Sequence, residues 1–146
     1  MLAVLLFCAI FYSNSISEKK IEPTILNPYL IINNTKISLI VADTPAERTQ
    51  GLSYQKKLDK NAGMLFIFPK KQILSFWMKD MNFPLDVIWI DDDKIIKIDK
   101  NLPPEGEKPE KNYSSGALTN YVLEVNAGFC DENNIKVGDK VKYILN

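Results

Sequence analysis

Short apolar runs alternate with prolines, asparagines and aspartates from about residue 29 to the end of the chain. In residues 35–41 the apolar positions Ile37, Leu39 and Val41 recur at every second residue, which is the period of a strand with one buried face. The Asn33-Asn34 pair before them tolerates the positive φ of tight hairpin turns. The pattern therefore predicts a hairpin between residues 30–32 and residues 35–41.

Further apolar runs predict additional strands. They cover residues 64–68, 73–79, 85–91, 94–99, 120–125 and 140–145. Pro69, Pro84 and the triplet Asp91-Asp92-Asp93 are predicted to separate the first four, because proline and clustered aspartate favour breaks and turns. Residues 100–118 contain three prolines and several charges, which predicts a long exposed loop.

A short helix is predicted after the first hairpin. Thr44 suits the N-cap, Pro45 suits the first helical position, and Glu47 stands three residues after Thr44 and completes a capping box. Gly51 can end the helix in the left-handed conformation. Arg48 is therefore expected on a well-defined helical turn.

Because strands dominate and helices are short, the predicted fold class is mainly β, a single-domain sandwich or barrel with one or two short helices. A chain of 146 residues suits one domain, and the strand pattern assigns residues 29–146 to it. Residues 16–28 are polar and contain Pro23 and Pro28, which is typical of a tether.

The N-terminus begins with an uncharged apolar run over residues 1–12. This run is too short to span a membrane but has the length of a signal-peptide core. We therefore predict an export signal or N-terminal anchor over residues 1–15, and an exported or membrane-anchored, extracytoplasmic protein. The alternative, a buried first strand, fits less well because Glu18, Lys19 and Lys20 follow closely.

The composition excludes several function classes. Eighteen basic and eighteen acidic residues cancel, which gives no reason to expect a nucleic acid partner. The chain has no histidine and only two cysteines, Cys8 and Cys130, so neither a disulfide scaffold nor a zinc site of several cysteines is expected. We predict no metal and no cofactor, and we expect Cys130 to be a small buried core residue rather than a nucleophile.

Several segments together resemble the family catalogued as domain of unknown function number 192. They are Val41-Ala42-Asp43-Thr44-Pro45-Ala46-Glu47-Arg48 with Gly51-Leu52, Ala62-Gly63-Met64-Leu65-Phe66-Ile67-Phe68-Pro69, Phe76-Trp77-Met78-Lys79 with Pro84-Leu85-Asp86, Leu123-Glu124-Val125-Asn126-Ala127-Gly128, and Val137-Gly138-Asp139. The resemblance covers roughly residues 30–145. It implies a compact, jelly-roll-like β fold, often behind a leader, and no established activity. Asp80 stands where the family often has Asn.

The most unusual local chemistry lies in residues 75–86, which mix aromatic, methionine and charged side chains. One interpretation is a ligand pocket in which Trp77 forms a stacking wall, with Arg48, Lys79 and Asp86 as polar anchors. The other is structural: Lys79 and Asp86 form an ion pair that pins a strand corner, and Trp77 fills the core.

Glu124 and Asn126 complete the candidate ligand-binding residues, because they are expected on one face at the end of a strand. Free amides at the start of the following helix, predicted over residues 127–133, could hold an anion. Alternatively, Asn126 simply caps that helix.

The leading hypothesis is a noncatalytic, exported or membrane-tethered β domain that binds a small molecule or a protein partner. A second is a hydrolase-type enzyme acting on an envelope substrate, with Asp86 and Lys79 or Glu124 as acid–base groups. A third is a structural module without a ligand site, which would bury Trp77 and pair every charge.

Overall fold

A computed structural model describes residues 27–145. Within them lie seven strands and two short helices. In chain order these are β1 (Tyr29–Ile32), β2 (Thr35–Ala42), α1 (Pro45–Gln50), β3 (Ala62–Phe76), β4 (Leu85–Asp91), β5 (Lys94–Leu102), β6 (Tyr113–Asn126), α2 (Phe129–Glu132) and β7 (Val141–Ile144). The predicted leader over residues 1–15 and most of the tether lie outside the described residues. Across residues 27–145, no helix has the length and apolar character needed to cross a membrane.

The strands form one curled sheet in the order β5-β4-β6-β3-β2-β1-β7. Every pair is antiparallel except β2 and β3, which run parallel. The two edges of the sheet meet where Lys94 bridges Lys140 and where the Val141 amide donates to the Asp93 carbonyl at 2.8 Å. The mainly β prediction is confirmed, and the architecture is a half-barrel.

Curling gives the sheet an inner and an outer face, and both are buried. The inner core draws on all seven strands and on α2, with Leu65, Ile88 and Leu123 among its fully buried members. The outer core draws on β2 to β6, with Phe66, Trp89 and Val122 among its buried members. Because neighbouring residues of a strand point to opposite faces, the central strands read as continuous apolar runs.

Gly63 permits the close approach of β3 and β6. A Cβ atom at this position would lie 2.8 Å from Leu123 Cδ1 and 2.9 Å from the Glu124 carbonyl oxygen. Real Cβ atoms do not approach other atoms so closely, so any larger residue would push the two central strands apart.

The predicted first helix and hairpin are confirmed. The Glu47 amide donates to Thr44 Oγ1 at 3.2 Å, and the Thr44 amide donates to the Glu47 carboxylate at 3.0 Å. These reciprocal bonds are the expected capping box. Gly51 follows with φ of +51° and ψ of −141°, a positive φ outside the predicted left-handed helical region. Asn33, at the predicted hairpin turn, has a φ of +54°.

Two predicted boundaries are wrong. Pro69 does not divide residues 64–68 from the next predicted strand, since β3 runs without a break from Ala62 to Phe76, and residues 77–79 of that predicted strand lie outside it. The β3–β6 pairing is interrupted between Ile67 and Gln72, so proline's missing N–H removes no bond from the ladder. The predicted loop over residues 100–118 shrinks to 103–112, because β5 extends to Leu102 and β6 begins at Tyr113.

Cys130 is fully buried, as the sequence analysis predicts. Burial raises the pKa of its thiol, and the nearby Asp86 raises it further. In a Cys8→Ser variant, in which Cys130 is the only thiol, we expect a thiol-reactive disulfide reagent to label the folded protein far more slowly than the urea-unfolded chain. Equally rapid labelling of both states at neutral pH would contradict this prediction.

Candidate functional site

A pocket of about 620 Å³ opens on the outer face of the sheet, beside α1. Residues of α1 and the turn after it form one side, and aromatic side chains of β3 and Trp77 contribute another part of the lining. Glu124 of β6 contributes a carboxyl group. A cavity of this size can hold a metabolite-sized molecule.

Hydrogen bonds join the turn after α1 to the segment after β3. Ser53 Oγ donates to the Lys79 carbonyl at 2.9 Å, and the Tyr54 amide donates to the Asp80 carbonyl at 2.9 Å. The Tyr54 hydroxyl donates to the Asp80 carboxylate at 2.6 Å. Ser53 lines the pocket, and so do Trp77 and Met81, which lie close in sequence to Lys79 and Asp80. The hydrogen bonds between the two segments therefore fix the part of the pocket wall that these residues form.

The aromatic part of the pocket is an ordered cluster around Phe76. The Phe76 ring makes edge-to-face contacts with Phe66 at 4.9 Å, Trp89 at 5.5 Å and Phe68 at 6.4 Å between ring centroids. Trp77 follows Phe76 but is 51% exposed. This exposed indole surface is therefore available for stacking against a bound molecule.

Arg48 is anchored by backbone carbonyls. Its Nη1 donates to the carbonyls of Asp43 and Ile67, the latter at 2.9 Å. The guanidinium carbon lies 5.0 Å from the centroid of the Phe68 ring. Within residues 27–145 no carboxylate forms an ion pair with Arg48, so its charge is positioned but not neutralised.

Glu124 is only 5% exposed, and its neighbours across the sheet are Met64 on β3 and Val87 on β4. Its carboxyl group has no hydrogen-bond partner in the described part of the chain. Desolvation by these apolar surroundings raises the pKa of Glu124 to about 8. Near neutral pH the group is therefore mostly a neutral carboxylic acid, able to donate one hydrogen bond and to accept others.

Asp86 lies on the inner face and serves the backbone. Its Oδ1 accepts hydrogen bonds from the amides of Asn101 at 2.9 Å and Gly128 at 3.2 Å, and its Oδ2 accepts one from Cys130 at 3.0 Å. The carboxylate thus occupies the start of α2, where the sequence analysis allowed for an external anion. This arrangement is structural, and it keeps Asp86 away from the pocket.

Lys79 and Asn126 also lie outside the pocket lining. No ion pair joins Lys79 to Asp86 among the described residues, so the predicted hairpin pair is not formed. Asn126 does not cap α2, whose N-cap is Gly128. Instead, its Nδ2 donates to the carbonyls of Leu58 and Asp59 at 3.1 and 3.2 Å, because α2 starts three residues further on.

Of the six predicted site residues, Arg48, Trp77 and Glu124 line one pocket, whereas Lys79, Asp86 and Asn126 do not. Sequence reasoning missed Phe68, Phe76 and Met81 as lining residues. The alternation of Phe66 and Phe68 within one run is a signal that could have placed an aromatic face beside α1.

The arrangement combines an apolar, aromatic body with few polar groups, which is typical of pockets for small organic molecules. Arg48 and Glu124 are the charged or titratable side chains that line it. Arg48 can bind an anionic oxygen, and Glu124 can exchange a proton near neutral pH.

Comparisons with known proteins agree with the resemblance noted from the sequence. The sequence model of the DUF192 family, described as "Uncharacterized ACR", matches residues 29–143. No curated protein matches the chain significantly.

Two solved structures share the fold. One is a protein from Sinorhizobium meliloti 1021 described as a candidate transcription regulator, with 31% identity and a TM-score of 0.72 over 80% of this chain and 91% of that chain. The other is a protein of unknown function from Novosphingobium aromaticivorans DSM 12444, with 29% identity and a TM-score of 0.72 over 78% of this chain and 83% of that chain.

We expect Asp86→Asn to destabilise the protein by about 3 kcal/mol, because the amide nitrogen cannot accept a hydrogen bond and leaves buried backbone N–H groups unpaired. Urea unfolding at neutral pH measures the change. Asp131→Asn is the matched control, since Asp131 makes only an exposed pair with Lys100, and we expect a change below about 1 kcal/mol. Equal effects of the two substitutions would contradict the structural role of Asp86.

We expect Glu124→Gln to become increasingly more stable than the native sequence as pH rises from 4.5 to about 8. In that interval the folded protein retains a proton that the unfolded chain releases, so the stability of the native sequence falls with pH. The difference should reach a few kcal/mol, at about 1.36 kcal/mol for each unit of pKa.

Urea unfolding at a series of pH values measures this difference. Glu132→Gln is the control, because the Glu132 side chain is 62% exposed and should give no comparable trend. A difference between Glu124→Gln and the native sequence that does not vary with pH would show that Glu124 is ionised in the folded protein.

Proposed function

Because the chain belongs to the DUF192 family, whose description names no activity, we propose a function from its own pocket: the domain binds a small organic molecule without transforming it. One observation carries the proposal. The half-exposed indole of Trp77 lies on the wall of the same 620 Å³ pocket that contains the anchored Arg48.

The size and lining of the pocket support a small ligand. Pockets for small molecules typically measure about 300–1,000 Å³ and combine apolar walls with a few polar groups. A buried ligand would cover the exposed face of Trp77, which would gain roughly 1 kcal/mol from an aromatic contact beyond the buried area.

A purely structural module agrees less well with these observations. Such a module would bury its large aromatic side chains and pair its charges, whereas Trp77 is 51% exposed and Arg48 forms no ion pair among the described residues. An aromatic side chain of a protein partner could use the same pocket. The concave shape favours a small molecule, because protein interfaces are usually larger and flatter.

We further propose that the domain works outside the cytoplasm, either exported or tethered through residues 1–15. The support is the apolar run over residues 1–12, which has the length of a signal-peptide core. The ligand would then be a molecule encountered at the cell envelope or beyond it.

Glu124 supports a second candidate, an enzyme that transfers a proton to or from its substrate. A carboxyl group with a raised pKa in a pocket is a recurring property of general acids and bases. The two-carboxylate hydrolase mechanism is less well supported, because Asp86 lies on the other face of the sheet. Glu124 is the one carboxyl group that lines the pocket within the described residues.

We do not extend the regulator description of the Sinorhizobium meliloti protein to this chain. Eighteen basic and eighteen acidic residues leave no net positive charge that would attract a nucleic acid backbone.

A ligand screen by thermal shift, with sugars, nucleotides, peptides and organic acids, tests the proposed function. We expect at least one compound to raise the melting temperature and to protect Trp77 fluorescence from acrylamide quenching. Trp77→Ala should weaken binding of that compound roughly tenfold, because a stacking contact contributes about 1.4 kcal/mol. Trp89, the other tryptophan, is fully buried and should be little quenched in either state.

Leu118→Ala is the matched control, because Leu118 is 58% exposed and lies outside the pocket lining. Binding should be unchanged in this variant. A screen in which no compound both stabilises the protein and protects Trp77 would contradict the binding function. Conversion of the bound compound, lost in Glu124→Gln, would favour the enzyme.

A further inference from the structure

We infer that the ligand is a small organic anion, whose acidic group binds the Arg48 guanidinium and whose apolar body packs against Phe68, Phe76 and Trp77. This inference rests on the function proposed above and adds the chemical class of the ligand.

The guanidinium of Arg48 keeps donors that no hydrogen bond within residues 27–145 uses. Its Nη1 is used by two backbone carbonyls, which fix its position without removing its charge. Within residues 27–145, no group accepts a hydrogen bond from Nη2 or Nε of Arg48. A planar guanidinium with donors left over matches a carboxylate, which can accept two parallel hydrogen bonds. A bound anion would therefore accept the hydrogen bonds that Nη2 and Nε of Arg48 can still donate.

Glu124 does not supply that anion. No ion pair joins it to Arg48 in the described part of the chain. The side chains that flank Glu124 are the apolar Met64 and Val87, and burial raises the pKa of its carboxyl group to about 8. At neutral pH the pocket therefore contains one positive charge and one mostly neutral acid.

A neutral Glu124 adds a hydrogen-bond donor that suits the same ligand. Its O–H group makes no hydrogen bond within residues 27–145, so its donor is available to a molecule in the pocket. An oxygen acceptor on the ligand would satisfy it. A cationic ligand would instead require ionised Glu124 and would lie in the same pocket as Arg48, so both protonation and repulsion oppose it.

The two ligand classes predict opposite pH dependences. Across the sheet from Glu124, β3 contributes Met64 and β4 contributes Val87, neither of which titrates, and Arg48 of α1 lines the same pocket. Ionisation of Glu124 above about pH 8 should therefore weaken the binding of an anion. The same ionisation should strengthen the binding of a cation.

Three probes with one carbon skeleton test the inference on the full chain: hydrocinnamate, hydrocinnamide and phenylpropylamine. Titrations followed by NMR give the dissociation constants. At about pH 6.5 we expect hydrocinnamate to bind at least about tenfold more tightly than the amide or the amine, since a charge-assisted hydrogen bond contributes more than a neutral one.

From about pH 6.5 to about pH 9 the dissociation constant of hydrocinnamate should rise roughly tenfold, because only about a tenth of Glu124 keeps its proton at about pH 9.

Two variants assign these effects to residues. Glu124→Gln should bind hydrocinnamate with an affinity that no longer falls between about pH 6.5 and about pH 9. Arg48→Gln should lose the preference for the acid over the amide, and protection of Trp77 from acrylamide by the amide would show that the pocket of this variant is intact. Arg48→Lys keeps the charge and should retain part of the preference.

Tighter binding of phenylpropylamine, or affinity for hydrocinnamate that rises with pH, would overturn the inference. Equal affinities for all three probes, with Trp77 protected from acrylamide, would overturn the anion preference and leave the proposed binding function standing. No binding of any probe, with Trp77 still quenched, would reject the anion inference for ligands of this size. The thermal-shift screen would then decide the binding function separately.

Discussion

The pairing of β3 with β6 is the constraint on which the rest of the structure depends. These central strands have buried residues on both faces, so each position must suit either the inner or the outer core. Gly63 allows them to approach, since a Cβ atom there would lie 2.9 Å from the Glu124 carbonyl oxygen. The same register places Glu124 directly opposite Met64. The close central pairing and the carboxyl group in the pocket are therefore consequences of one strand register.

Two buried carboxyl groups on neighbouring strands show how surroundings decide a role. Asp86 and Glu124 are 0% and 5% exposed, yet they face opposite sides of the sheet. Asp86 accepts three backbone hydrogen bonds, so its charge is compensated and it holds α2 against the inner core. Glu124 has apolar neighbours and no hydrogen-bond partner among the described residues, so it is kept mostly neutral. A charged residue within an apolar strand marks a special position, and its partners determine whether that position supports the fold or faces a ligand.

The sequence was sufficient for local features and insufficient for their arrangement in space. The capping box around Thr44 and the Asn33 turn were predictable because each depends on neighbours along the chain. The continuity of β3 past Pro69 was not, because it depends on where β6 leaves a gap in the pairing. Similarly, Arg48 and Glu124 lie in distant parts of the chain and line one pocket only because of the sheet order. Asp86 is assigned to the inner face by its register. The family resemblance was recognisable because its segments are colinear, but it brought no chemistry with it.

Contacts between Tyr54 and Asp80 order the two segments that lie beside the pocket. Tyr54 and Asp80 both have positive φ, at +64° and +54°, and their backbones and side chains are hydrogen-bonded to each other. Aspartate tolerates positive φ better than most residues, so Asp80 suits this backbone conformation. Positive φ is unusual for tyrosine, so the strain at Tyr54 persists because the bonds to Asp80 hold it. A wall ordered in this way before binding reduces the entropy that a ligand must remove. The exposed indole of Trp77 is thus presented by a preformed surface, which is what a binding site requires and a closed core does not.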